Sequence, residues 1–186
     1  MNGSTGRRYG ATAQVLHWMV AGLIVTQFVL ARMAAHLPLG AHKLALLAQH
    51  KSFGMTVFLL AVLRLAWRLR HPPPPLPTDM HRGERFLARL THVSFYVLLF
   101  AMPLSGWLMS SAKNYSVSWF GVFTWPNLIA PNETAFDYFR SLHHLLSDAL
   151  FAIASLHILA AFKHHFWNKD DVLVRMLPEF RSENKL

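Results

Sequence analysis

The sequence predicts an all-α integral membrane protein, built as a bundle of four transmembrane helices. Of its 186 residues, 53% are hydrophobic and only 15% are charged, and the mean hydropathy is positive. A helix needs about 20 apolar residues to span a bilayer, and four stretches reach that length. We expect the spans at residues 14–35, 49–69, 90–110 and 142–167, within a single membrane domain that covers residues 1–186.

Charge and cysteine content limit the possible functions. The net charge of +9 fits the excess of Lys and Arg on the cytoplasmic side of membrane proteins. Since no nucleic-acid-binding motif accompanies it, we expect the partner to be a lipid bilayer and not a nucleic acid. The sequence has no cysteine, which excludes disulfides, cysteine-ligated iron–sulfur clusters and covalently attached c-type haem.

The first two predicted spans place histidines on opposite sides of the membrane. His17 lies about one turn inside the first span, and His50 lies at the start of the second span. Arg64 follows His50 by 14 residues and shares its helix face, because a helix turns about 100° per residue. An arginine at this depth needs an anionic partner or a route to water. Arg64 therefore either meets a haem propionate or snorkels to the surface.

The third predicted span has His92 near its start, without a same-face histidine in the same span. We interpret His92 as an interface or substrate-pocket residue. The connector that follows, residues 111–141, is interrupted by Gly and Pro and contains the aromatic run SWFGVFTWP. We expect this connector to lie on the membrane surface as a lid over a nearby site.

The fourth predicted span, LHHLLSDALFAIASLHILAAFKHHFW, is rich in histidine. His143 and His157 are 14 residues apart, so they share one face and lie about 21 Å apart along the helix axis. His144 points away from His157, because 13 residues rotate the helix to a difference of about 140°. Histidine is costly at membrane depth, so each one there needs a partner or a role.

The depths of these histidines predict two pairs. His17 and His157 lie near one side of the membrane, His50 and His143 lie near the other, and each pair joins two helices. Four-helix bundles build cofactor sites from such inward-facing side chains. We predict two haem b groups, each between two histidine ligands, a coordination that favours electron transfer over oxygen binding.

The basic residues predict the orientation of the chain. Four spans place both termini on the same side of the membrane. Lys and Arg are concentrated in the N-terminal segment, in the loop over residues 68–89 and in the tail over residues 168–186. By the positive-inside rule, these three segments should be cytoplasmic.

This pattern resembles the bacterial cytochrome b-561 family, and within it the short four-helix members that act as membrane superoxide oxidases. The resemblance covers nearly the whole chain, from about Gln14 to Pro178. The similar stretches are VLHWM, QHKSFGM, VLRLAWRLRHPPPP, THVSFYVLLFAMPLSG, LHHLLSDALFAIASLH and KHHFWNKDDVLVRMLP.

The resemblance implies the same two ligand pairs, His17 with His157 and His50 with His143, in a bacterial inner membrane. It also implies oxidation of superoxide to dioxygen on the outer side and reduction of ubiquinone, without a required protein partner. His164 is then a candidate contact of the quinone head group. Arg64 and His92 are further candidates for the quinone site.

Outer-side cations could attract superoxide, since clefts of one charge sign steer small ions of the other sign. Four residues are candidates, and they could equally be ordinary solvated surface charges: Lys43, Lys51, Lys113 and Arg140.

Two other classes of function stay open. One is an electron-transfer cytochrome b subunit that anchors a separate dehydrogenase or hydrogenase. The other is a haem-free metal transporter whose histidines line a path. The transporter is less favoured, because Asp148 is the only acidic residue well inside a predicted span.

Overall fold

The computed structural model describes residues 8–75 and 80–178. Residues 1–7, 76–79 and 179–186, which include parts of the predicted basic loop and tail, lie outside the described residues. The four long helices are α1 (Ala11–Ala35), α2 (Ala41–Arg70), α3 (Arg82–Ala112) and α4 (Glu133–Phe162). A π-helical turn (Lys163–Asn168) and a 3-10 turn (Val174–Met176) follow α4, and two short strands, β1 (Val117–Trp119) and β2 (Phe123–Trp125), lie between α3 and α4.

The predicted fold, an all-α membrane bundle of four spans, is confirmed. Within the described residues, four helices are long and apolar enough to cross a membrane. Helices α1, α2 and α3 each contain one predicted span and extend beyond it; α2, for example, begins at Ala41. The fourth predicted span, residues 142–167, begins inside α4 and continues past Phe162 into the π-helical turn. Which part of each helix lies in the bilayer stays a prediction.

The early start of α4 has a local cause. The side chain of Asn132 accepts a hydrogen bond from the backbone N–H of Ala135 at 2.8 Å, as an N-cap residue does. Glu133 then places a negative charge in the first turn, where the helix dipole favours it. The residues Asn132–Glu133 therefore act as a helix start.

The bundle is held by apolar contacts among the helices. Val20 of α1, Val57, Leu60 and Ala61 of α2, and Leu99 of α3 form a buried cluster. Large apolar side chains of α4, such as Phe151 and Leu156, are instead exposed on the outside of the bundle. Such an apolar exterior fits helices that face lipid.

The two ends of the bundle are built from different segments. At one end, the C-terminal segment contacts the start of α1 and the α2–α3 loop: Trp18 donates to the carbonyl of Met176 at 2.9 Å, and Arg175 donates to that of Pro75 at 2.8 Å. We call this the termini end. At the opposite end, β1 pairs antiparallel with β2, with Ser118 opposite Thr124, and Ser52 of α2 donates to the carbonyl of Ser118 at 2.9 Å. We call this the hairpin end.

Candidate functional site

Helix α4 contributes one histidine to each of two facing pairs. At the termini end, the ring centroids of His157 and His17 of α1 are 6.4 Å apart, with an interplanar angle of 65°. At the hairpin end, His143 and His50 of α2 are 6.2 Å apart at 79°. The structure thus brings together the four histidines that the sequence analysis paired, and in the same pairs.

The choice of His143 over its neighbour follows from helix phase. His143 is half-buried and faces His50, whereas His144 is exposed on the outside of α4. The separation of 14 residues between His143 and His157 corresponds to about 21 Å of helix rise. The two pairs therefore lie at well-separated depths of the bundle.

A serine of α3 orients His143. The Ser105 hydroxyl lies 2.9 Å from Nδ1 of His143 and donates its own proton to the carbonyl of Met102 at 2.8 Å. The hydroxyl oxygen must therefore accept from Nδ1–H, which leaves a lone pair on Nε2. This is the tautomer that a metal-ligating histidine needs, with its second nitrogen held by an outer partner.

His50 is positioned through its backbone. Gln27 of α1 donates to the carbonyl of His50 at 2.9 Å, and a Cβ at Gly54 would lie only 2.9 Å from the Nε2 atom of Gln27. Gly54 therefore makes room for this contact. The Nδ1 atom of His50 is buried and has no hydrogen-bond partner within the described residues.

Arg64 lies beside the pair at the termini end, with Nη2 3.0 Å from Nδ1 of His17. A guanidinium can only donate, so Nδ1 of His17 accepts and Nε2 bears the proton. Iron ligation through Nε2 would thus require Arg64 to turn from the ring toward another acceptor, as the predicted propionate would be. That prediction for Arg64 stays open.

His92 is the third histidine at the termini end. Its ring centroid is 5.9 Å from that of His157, and its Nδ1 donates to the carbonyl of Ala88 at 2.7 Å. The Nε2 atom of His92 therefore has a free lone pair. His157 has two histidine neighbours, His17 and His92, and either could face it across a ligand.

The donor sets at both ends fit haem. A metal between two imidazoles, with bonds of roughly 2 Å each, separates the ring centres by about 6 Å, as found for both pairs. Within the described part of the chain, no group of three or more His, Cys, Asp or Glu side chains could hold a metal ion. Two facing imidazoles suit an iron whose remaining ligands come from a macrocycle.

His164, the candidate quinone contact, lies at the termini end in the π-helical turn. Its Nδ1 is 2.5 Å from Oδ2 of Asp170, and the side chain is 12% exposed. The candidates Arg64, His92 and His164 thus all lie toward the termini end, where Arg64 contacts His17 and His92 contacts His157.

The four predicted outer-side cations lie at the hairpin end, and two of them are ion-paired. Lys113 contacts Glu133 at 2.5 Å, and this hydrogen bond raises the pKa of Lys113. Arg140 contacts Asp137 at 3.5 Å. The ammonium groups of the other two lysines donate to backbone carbonyls: Lys43 to that of Leu37 at 3.1 Å and Lys51 to that of Ser116 at 3.1 Å. A carbonyl is neutral, so it does not cancel the positive charge of the lysine.

The sequence analysis did not find Ser105, Gln27 or Asp170. Ser105 and Gln27 act across helix interfaces, so their roles depend on which helices pack together. Asp170 follows His164 by six residues, a spacing that matches no single face of a regular helix. The sequence signal for the contact of Ser105 was the Ser-Gly dipeptide in the third span, because a glycine lets a side chain of a neighbouring helix approach the backbone closely.

The geometry of the bundle indicates a class of protein. A four-helix membrane bundle with facing histidine pairs at two depths is typical of membrane cytochromes of the b type, which transfer electrons.

Comparison with known proteins gives the family. A profile described as prokaryotic cytochrome b561 matches residues 8–179. Cytochrome b561 homolog 2 of Escherichia coli (strain K12) is 35% identical over 184 residues, which cover 97% of this chain and 96% of that protein. The chain therefore belongs to the prokaryotic cytochrome b561 family, whose membrane proteins transfer electrons and bind haem b.

More distant relatives are similar along most of their length. The probable superoxide oxidase CybB of Yersinia pestis is 28% identical over 179 residues, which cover 95% of this chain and 99% of that protein. Cytochrome b561 homolog 1 of Escherichia coli (strain K12) is 24% identical over 172 residues, or 92% of this chain and 97% of that protein.

Proposed function

We propose that this protein is a superoxide:ubiquinone oxidoreductase. The observation on which the proposal depends is the pair of facing histidines at each end of the bundle. In this proposal His50 with His143 and His17 with His157 each hold one haem b. The two sites lie about 21 Å apart along α4, one toward each side of the membrane.

The relatives support the finer parts of this proposal. The Yersinia pestis protein that is named a probable superoxide oxidase aligns with 95% of this chain, and this similarity along the whole length supports a related activity. The number of haems and the use of superoxide and ubiquinone are our inferences for this chain.

The haem and the side chains around it have different roles in this proposal. Haem b, when bound, supplies reversible one-electron oxidation and reduction of its iron. Ser105 holds Nδ1 of His143, which leaves the Nε2 lone pair available to a ligand. Two histidines at each site would leave a bound haem no place for a further ligand, and such a site would favour electron transfer over oxygen binding.

The proposed reaction balances in electrons and protons. Two superoxide anions each lose one electron and leave as dioxygen. One ubiquinone gains these two electrons and two protons and becomes ubiquinol. The protein must therefore admit a small anion at one site and deliver protons at the other.

We place superoxide oxidation at the hairpin end. Lys51 follows the proposed ligand His50 directly, and its ammonium group lies 5.5 Å from the centre of the Tyr115 ring. Lys43 and Lys51 both keep an uncancelled positive charge against carbonyl oxygens. A positive surface beside the site raises the local concentration of an anionic substrate.

We place ubiquinone at the termini end, near His92 and His164. Quinone sites need an apolar groove with a few polar groups. In both histidines Nδ1 is already hydrogen-bonded, so Nε2 is the ring nitrogen that can contact the quinone. The N-terminal segment, the α2–α3 loop and the C-terminal segment meet at this end. With the positive-inside rule, we infer that both termini are cytoplasmic in a bacterial inner membrane.

The test is an anaerobic redox spectrum of the purified holoprotein, followed by superoxide with and without ubiquinone. We expect two b-type haems that superoxide reduces and ubiquinone reoxidises with no other protein present. Haems that do not react with superoxide would exclude the proposal and favour a subunit that serves a separate dehydrogenase or hydrogenase. A protein without haem would contradict the assignment of the four ligands.

A further inference from the structure

His164 and Asp170 form a hydrogen-bonded pair at the termini end. The 2.5 Å contact joins Nδ1 of His164 to Oδ2 of Asp170, and the two side chains are only 12% and 20% exposed. An ionised carboxylate can only accept, so Nδ1 bears the proton of this bond. Nε2 is then the nitrogen that can exchange a proton with a ligand.

The backbone brings the pair together by leaving regular helix geometry. Residues six apart lie about 240° around an α-helix, too far for contact. The π-helical turn Lys163–Asn168 and the left-handed Lys169, at φ 55°, reverse the chain, and the N–H of Asp170 donates to the carbonyl of His164 at 3.2 Å. Short π-helical turns of this kind are frequent at functional sites.

The carboxylate of Asp170 is fixed at both oxygens. Oδ2 accepts from His164, and Oδ1 accepts from the N–H of Val172 at 3.1 Å. The side-chain nitrogen Nδ2 of Asn168 also lies 3.2 Å from Nδ1 of His164. Asp170 is nearer and charged, so it forms the stronger hydrogen bond with Nδ1. The orientation of the imidazole is thus set before any ligand arrives.

The other charged groups around the pair are largely matched with one another. Lys163 forms an ion pair with Glu84 of α3, and Glu84 in turn interacts electrostatically with His81 and His164. Asp171 forms an ion pair with Arg175 at 2.8 Å. Two further titratable groups lie on the same turn: His165 and Lys169. Asp170 is therefore the carboxylate that acts directly on His164.

We propose that Asp170 is a positioning residue that holds His164 as the proton donor for quinone reduction; this inference rests on the proposed function. As the quinone accepts two electrons, the Nε2–H bond of protonated His164 breaks and an O–H bond forms on one quinone oxygen. The second oxygen takes its proton from water. The carboxylate of Asp170 stabilises the protonated imidazole before the transfer, and the neutral imidazole that remains afterwards takes a new proton from the aqueous phase.

The first test observes the pair without any turnover. In the NMR spectrum of the full-length holoprotein, the short Nδ1–H···O bond should give a strongly downfield ring proton. The signal should disappear in Asp170→Asn and in His164→Gln. It should stay in Asp171→Asn, which removes the neighbouring carboxylate instead. A signal that persists in Asp170→Asn would overturn the pairing.

The second test isolates the quinone step. The holoprotein is reduced with dithionite under anaerobic conditions and mixed with a water-soluble ubiquinone analogue, and haem reoxidation is followed across pH. We expect Asp170→Asn to slow reoxidation roughly tenfold, as when a functional histidine loses its partner carboxylate. The pH dependence of the rate should also differ from that of the wild type, because the variant lacks the negative charge that faces His164.

The outcomes separate the two proposals. Wild-type rates and an unshifted profile in Asp170→Asn, or equal effects of Asp170→Asn and Asp171→Asn, would overturn the role of Asp170. The wild-type holoprotein could show the downfield proton while quinone fails to reoxidise its reduced haem. That result would contradict the proposed function and, with it, the role of His164 as proton donor.

Discussion

The hydroxyl of Ser105 accepts a hydrogen bond from Nδ1 of His143 at 2.9 Å. Because the same hydroxyl donates to the carbonyl of Met102 at 2.8 Å, the tautomer of His143 is determined by α3, although both proposed ligands of this site lie on other helices. Helix α3 contributes no proposed ligand at the hairpin end, but its Ser105 holds His143 in the tautomer that can bind iron.

Replacement of Ser105 by Ala should therefore weaken haem binding at the hairpin end. Loss of an outer partner of a metal-ligating histidine typically costs roughly 10- to 100-fold in affinity. Haem titration of the apoprotein would measure this loss. Ser111→Ala is the matched control, because Ser111 is a buried serine of the same helix that contacts Trp107 and Leu128 instead. Equal haem affinities in both variants would contradict the role of Ser105.

Gly106 should tolerate no side chain, because it packs against the same ring. A Cβ at this position would lie 3.1 Å from Cε1 and 3.4 Å from Nδ1 of His143, which forces the ring to move. We expect Gly106→Ala to change the spectrum or the midpoint potential of one haem and leave the other as in the wild type. Gly22→Ala is the control, since a Cβ there meets nothing within 4 Å and Ala favours a helix.

The features that the sequence predicted depend on local rules. Hydropathy and length predict the four membrane helices, and the phase of α4 separates half-buried His143 from exposed His144. The distribution of Lys and Arg predicts an orientation. Each of these rules needs only a single helix and the bilayer, so a sequence is sufficient to apply it.

The remaining features depend on contacts between elements. Arg64 contacts His17 of α1 in the structure, and no spacing within α2 indicates this contact. The hairpin β1–β2 is fixed by contacts such as that of Trp119 with Thr56 of α2 at 3.0 Å. The pairing of Asp170 with His164 depends on a π-helical turn, for which the sequence offers no reliable signal.

The three histidines at the termini end should differ in their effect on haem content. If His17 and His157 are the ligands, His17→Ala should reduce the content from two haems per chain to one, as a pyridine haemochrome assay would measure. His92→Ala should keep both haems and slow only the reaction with quinone. The reverse result, with haem lost from His92→Ala and kept in His17→Ala, would make His92 the partner of His157.

The lysines at the hairpin end should differ in their effect on the reaction with superoxide. Lys51→Gln should lower the second-order rate constant for reaction with superoxide by a factor of roughly 2 to 10, because one charge supplies only a part of the roughly 10- to 1000-fold increase that a whole charged cleft gives. The effect should shrink as ionic strength rises, because salt screens exposed charges. Stopped-flow reduction of the haem at several salt concentrations would measure it.

Lys113→Gln is the matched control for this experiment, because the charge of Lys113 is largely cancelled by Glu133. The hydrogen bond to Glu133 raises the pKa of Lys113, so Lys113 stays protonated across the neutral pH range. Any effect of its replacement should therefore be small and should not change with pH in that range. If Lys113→Gln lowers the rate as much as Lys51→Gln does, net charge alone governs the approach of superoxide, and the placement of Lys51 beside His50 has no special role.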